Sequence, residues 1–180
     1  MTHCINGYLT DNHIEYLLEP TKTSMVISDI TQLGYWDNVE FDKHITQCLV
    51  AFTNIINDNP AIITCMQSSR VIFSSLGPIH PELDSLLKEN DVSYEIVSPN
   101  HINYGSSYAP PRNILVWGIH ADLCILDHSM AITRYSNITR AIILEDATQS
   151  LRLDRHDGML LLSRHLPNID VVSKNARFVI

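Results

Sequence analysis

The sequence predicts an α/β domain: a six-stranded, mostly parallel sheet with helices on both faces. Short apolar runs alternate with stretches of helical periodicity along the chain. The runs are nearly continuous in Val, Ile and Leu, the pattern of strands buried on both faces. No internal repeat, low-complexity tract or Pro/Gly/Ser-rich linker interrupts the 180 residues, so one domain spanning 1–180 is the simplest account.

The elements follow in order. "SMVISDI" (24–30) is β-branched, ends near Asp29 and reads as the first strand. "FDKHITQCLVAFTNIIND" (41–58) places Phe41, Ile45, Leu49, Phe52, Ile55 and Ile56 at helical spacing. "AIITCM" (61–66), directly after Pro60, reads as the second strand. "HPELDSLLKEN" (80–90) reads as a helix opened by Pro81, and "SYEIVSP" (93–99) as a third strand stopped by Pro99. After a Tyr/Ser/Pro-rich loop (104–112) come a strand "NILVWGI" (113–119), a helix "DLCILDHSMAITRYS" (122–136) and a strand "RAIILED" (140–146). A helix over 152–166 and a strand "NIDVVS" (168–173) complete the sheet. In such sheets ligands bind at the carboxyl ends of the strands, where Asp29, Ser98, Ile119 to Cys124 and Asp146 all fall.

Composition narrows the partners. The chain is 45% hydrophobic, 18% charged and carries a net charge of −8. Residues 1–90 hold 11 acids against 4 bases, and residues 91–180 hold 9 against 8. With no cluster of Lys and Arg to neutralise phosphates, nucleic acid is not expected as a partner. No apolar run has the length of a membrane span, and the first residues lack the basic and apolar regions of a signal peptide. A cytoplasmic location is therefore expected, where the four cysteines (Cys4, Cys48, Cys65, Cys124) stay reduced. Cys48 and Cys65 lie in apolar patterns and read as packing thiols; Cys4 reads as part of a loose terminus.

"GIHADLC" (118–124) carries the most chemistry. Gly118 permits a sharp exit from the strand, and Asp122 can cap the helix that follows. Cys124 then falls in the first helical turn, whose free N–H groups favour a thiolate and can hold an oxyanion. Those features suit a nucleophile, although spacing alone fits a packing thiol somewhat better. His120, Cys124 and His128 recur every four residues, as zinc ligands on one helix face do. However, His120 precedes the cap, so the three are not expected to be collinear. Asp29 can serve as a general base for a thiol or as a cap for the next segment.

Taken together, these motifs resemble the isochorismatase-like cysteine hydrolase family. The resemblance covers roughly residues 12–173. It is strongest in "VWGIHADLCILDHSMAITRYSNITRAIILEDATQS", where Gly118, Ile119, Asp122, Cys124, Ile125, Asp146 and Ala147 match the family pattern. It implies a Rossmann-like three-layer sandwich and, in the amide-hydrolysing members, an Asp-Lys-Cys triad. On this chain it implies Cys124 as nucleophile, Asp29 as base, a cis peptide at Ile119–His120, and the N–H groups of His120 and Cys124 as oxyanion donors. The family lysine falls at Ser98, and there is no Lys between Lys88 and Lys174. His101 and, further off, Arg112 are the substitutes in reach by sequence. Ala121 stands where the family has Thr, and Thr31 where it has Gln. The zinc pattern of nicotinamidase-like members is missing, so no metal and no cofactor are expected.

Trp36, His101 and Tyr104, with Tyr35, sit on loops after strand ends and are candidates for a substrate pocket. The resemblance implies a small-molecule substrate, split at an amide, ureide or similar C–N bond, and a homo-oligomer. Two other readings stand beside it. One is a catalytically degenerate member serving as a binding or assembly module; the other is a vinyl-ether hydrolase that does not need the cysteine.

Overall fold

The computed structural model describes residues 4–5, 8–9, 15–98, 113–125, 140–165, 169–172 and 176–180. Along these the chain forms β1 (Cys4–Ile5), β2 (Tyr8–Leu9), β3 (Glu15–Leu17), β4 (Thr23–Ser28), α1 (Val39–Asp58), α2 (Pro60–Ser68) and β5 (Arg70–Ser74). Then follow α3 (Pro81–Glu89), β6 (Glu95–Val97), β7 (Asn113–Ile119), a single π-helical turn (Ala121–Ile125), β8 (Arg140–Gln149), α4 (Arg155–His165), β9 (Ile169–Val172) and β10 (Arg177–Val179).

Six strands, β4 to β9, run parallel in the order β9-β8-β7-β4-β5-β6. The two-residue strands β1 and β2 extend the sheet beyond β9, and β3 pairs with β10 apart from it. Cys4 is thus in a paired strand rather than on a loose end. Numbered along the chain, the six parallel strands lie 6-5-4-1-2-3, the doubly wound order in which two three-stranded halves meet at their first strands. The direction of winding reverses between β4 and β7, and the carboxyl ends at such a switch point are where sheets of this class bind ligands.

Side chains alternate across the sheet, as the pleat requires. Met25 and Ile27 of β4 join Leu115 and Trp117 of β7 in the core under α1, α2 and α3. Val26, Ile114 and Val116 face Met159 and Leu162 of α4 in the other core. Phe52 of α1 stacks flat on Trp117, with ring centroids 4.0 Å apart. The Trp117 indole N–H meets Met25 Sδ at 3.4 Å. Helix α1 starts at Val39, two residues before the expected start, because the Asn38 side chain accepts from the N–H groups of Glu40 and Phe41.

The sequence places the second strand in the wrong segment. Residues 61–66 are helical, within α2, and bury Ile62, Cys65 and Met66 at helical spacing. Pro60 occupies the first turn of α2, where its missing N–H costs nothing, so α2 continues from α1 after one break. A short β-branched run cannot be told from a buried helix by composition. The true second strand is "RVIFS" at Arg70–Ser74. The strand expected at 140–146 runs on to Gln149, so Asp146 lies inside β8 rather than at its end.

Candidate active site

Asp29 follows β4 directly, at the point where the winding reverses. It is 5% exposed and has a left-handed backbone (φ 52°), which short polar residues tolerate best. Its N–H donates to Ser74 O at 3.0 Å and its carbonyl accepts from the Thr31 N–H at 2.9 Å. Its carboxylate accepts from the Ser75 hydroxyl at 2.7 Å. Ser75 directly follows β5, the strand misplaced from sequence, so nothing in the spacing pointed to it.

Across the switch point, the polar groups of the 118–120 stretch are held one by one. Gly118 lies opposite Ser28 with φ 120°, and a Cβ there would stand 2.2 Å from Ser28 O. Only glycine fits. The Ser28 hydroxyl donates to Ile119 O at 2.6 Å, and the Cys48 thiol to Gly118 O at 3.7 Å. The β7–β8 register shifts between Val116 and Gly118. Cys48 also meets the Gln149 backbone N–H beside that shift. Burial pushes the Cys48 thiol far up, which suits a packing role. The Ile119–His120 peptide is cis. His120 O accepts from the Leu123 N–H at 3.2 Å and the Ile125 N–H at 3.0 Å, closing a π-type turn rather than the α-helical first turn expected.

Asp122 does not cap this turn. Its buried carboxylate accepts from the N–H groups of Leu151 (2.7 Å), Arg152 (2.7 Å) and Leu153 (3.2 Å). It therefore ties the turn to the segment that leads into α4.

The half-buried Cys124 thiol is hydrogen-bonded to the Asp29 carboxylate and faces the backbone N–H groups of His120 and Cys124 itself. Position at a helix start predicts a thiolate. The opposite holds: burial, then the Asp29 charge and its hydrogen bond, push the thiol up to about 12, and the two N–H groups offset this only in part. The resting pair is a thiol donating to a carboxylate.

Behind the turn, His44 Nδ1 of α1 meets His120 Nε2 at 3.0 Å. His120 is 1% exposed, with Phe41 edge-on at 4.6 Å. Burial, with His44 alongside, lowers the His120 imidazole to about 4 against the opposing pull of Asp122. Burial also lowers His44, where Glu40 and Asp122 pull up and Lys43 pushes down. The His120 ring is therefore engaged with His44; His128, the third residue of the four-residue spacing, lies outside the described residues. Trp36 packs edge-on to Tyr35 and Phe41, with its buried indole N–H unpartnered among the described residues. Ser98 is half-buried just past β6. His101, Tyr104 and Arg112 lie outside the described residues. Of the residues singled out from sequence, the structure brings Asp29, Gly118, Ile119, His120 and Cys124 together.

No protein-family model and no curated protein matches the chain. Solved structures do match. The MAR1 ribonuclease from Caenorhabditis elegans aligns with TM-score 0.57 and 16% identity, over 88% of this chain and 80% of that one. Nicotinamidase PncA from Bacillus subtilis aligns with TM-score 0.57 and 15% identity, over 84% and 99%. The YcaC gene product from Escherichia coli, an octameric hydrolase of unknown specificity, aligns with TM-score 0.52 and 15% identity, over 87% and 77%. The chain has the isochorismatase-like fold. Within that fold the carboxyl ends of the two central strands, β4 and β7, carry Asp29 and the Cys124 turn.

Proposed function

We propose that this isochorismatase-like chain hydrolyses a C–N bond of a small molecule, an amide or ureide, with Cys124 as nucleophile and Asp29 as base. The observation that carries this is the Cys124 thiol, hydrogen-bonded to Asp29 and facing two backbone N–H groups. As the sulfur attacks the carbonyl carbon, its proton passes to the Asp29 carboxylate, so no free thiolate is needed. The N–H groups of His120 and Cys124 hold the oxyanion that forms. Collapse of the intermediate breaks the C–N bond, and the leaving nitrogen takes the proton from Asp29. Water then attacks the thioester, gives a proton to Asp29, and the acid is released as the proton returns to sulfur. The Ser75 hydroxyl orients the carboxylate throughout. Nicotinamidase among the structural neighbours supports amide chemistry on this fold. The octameric neighbour supports a homo-oligomer. The net charge of −8 argues against RNA as substrate despite the ribonuclease neighbour.

Ser98, at the family lysine position, supplies no charge, and the thiol rests at about 12. Those two facts favour a second reading, a binding or assembly module that has lost activity. Incubation with small amides, ureides and esters, followed by intact mass, separates the two. An acyl adduct on Cys124 that Cys124→Ala abolishes supports the hydrolase. No adduct and no turnover across the panel supports the binding module.

A further inference from the structure

We infer that His44 is a positioning residue: its Nδ1 fixes the His120 imidazole and so aims the His120 backbone N–H at the Cys124 sulfur. His120 is the one residue of the turn that reaches both ways. Its backbone N–H faces the sulfur, its carbonyl closes the π-type turn, and its ring meets His44 and Phe41 of α1. Gly118 and Ile119 are each held through their carbonyls, by Cys48 and Ser28. His120 is held through its side chain, and His44 stands one helical turn before Cys48 on the same face of α1.

The proton pattern follows from the end of the chain of contacts. His44 Nε2 lies 3.5 Å from Glu40 Oε1, and a carboxylate only accepts. His44 therefore keeps its proton on Nε2 and offers a bare Nδ1, and His120 Nε2–H is the donor between the rings. His120 Nδ1 is left as a bare lone pair, buried and unpartnered among the described residues. A buried acceptor without a partner is tolerated better than a buried N–H without one, so this tautomer is also the cheaper orphan.

The consequence for catalysis rests on the hydrolase reading above; the geometry does not. Native protein is alkylated with iodoacetamide at pH 9, and Cys124 modification is followed by peptide mass. His44→Ala loosens the N–H that lowers the thiol, so Cys124 alkylation slows roughly fivefold and its pH midpoint moves up. His44→Asn places an amide atom where Nδ1 stands and restores most of the rate, although it cannot reach Glu40. Wild-type rate and midpoint in His44→Ala, or His44→Asn as slow as His44→Ala, overturns the inference. Nitrogen-15 spectra of the unmutated protein give a test that no folding defect can cloud. One fixed tautomer, with the proton on Nε2 in both rings, is expected; a proton on His120 Nδ1 overturns it. If no amide, ureide or ester acylates the wild type while these patterns hold, the hydrolase reading falls and the role of His44 stands.

Discussion

The Cys124 thiol donates to the Asp29 carboxylate, and burial together with this contact makes the site's resting state a protonated sulfur beside a charged acid. Such a pair holds the proton where it must go during attack. It also ties the thiol's reactivity to Asp29 in two opposite ways.

Asp29→Asn separates them. The amide still accepts from Ser75, but the charge that pushes the thiol up is gone. The thiol falls from about 12, so more thiolate forms at pH 8 and alkylation by iodoacetamide speeds up, by about fivefold or more. Turnover of an amide or ureide substrate falls on the order of a hundredfold to ten-thousandfold, because the base is lost. Rates of alkylation and hydrolysis measured on one preparation check this. A fall in both would mean that Asp29 merely shapes the site.

Much of this arrangement was legible in the chain, and the exceptions share one cause. Gly118, Asp122 and Cys124 are close in sequence, so their spacing announces a tight turn at a strand end. Asp29 was paired with that turn through the family resemblance, and the structure supplies the reason: β4 and β7 are adjacent parallel strands, so their carboxyl ends meet. Ser75, His44 and Cys48 were not so paired, because their roles depend on contacts across 46, 76 and 70 residues. Cys48 read as a packing thiol of an amphipathic helix, His44 drew no reading, and Ser75 was hidden behind the strand misplaced at 61–66. The direction of the Cys124 shift was missed for a related reason. A helix start favours thiolate locally, but burial and Asp29 outweigh it, and neither is visible in the turn's own residues.

Gly118→Ala tests how tightly β4 and the turn are packed. A methyl group would stand 2.2 Å from Ser28 O, against backbone that cannot swing away, and φ is 120°. Gly34 offers the contrast: its φ is 81°, but nothing lies within 4 Å of a Cβ. Gly34→Ala therefore loses about 1 kcal/mol from backbone conformation alone. Gly118→Ala loses about 3 kcal/mol or more, since strain and clash add. Urea midpoints of the two variants give the comparison, and equal losses would mean that the close approach to Ser28 relaxes freely.

Acid should unfold this protein through histidines before its carboxylates titrate. His44, His80 and His120 are all lowered from 6.5 by burial, His120 to about 4. Below pH 6.5 the unfolded chain takes up protons that the folded chain refuses, so stability falls as pH drops, with His120 contributing down to about 4. His80 adds a mechanism of its own: its Nδ1 accepts from the Glu82 N–H at the start of α3, and protonation removes that acceptor. His80→Asn keeps an N-cap acceptor and deletes the titration. Urea midpoints measured from pH 7.5 to 4.5 should decline in the wild type and decline less steeply in His80→Asn. A flat wild-type profile over that range would show that these three rings take up protons in the folded state as readily as in the unfolded one.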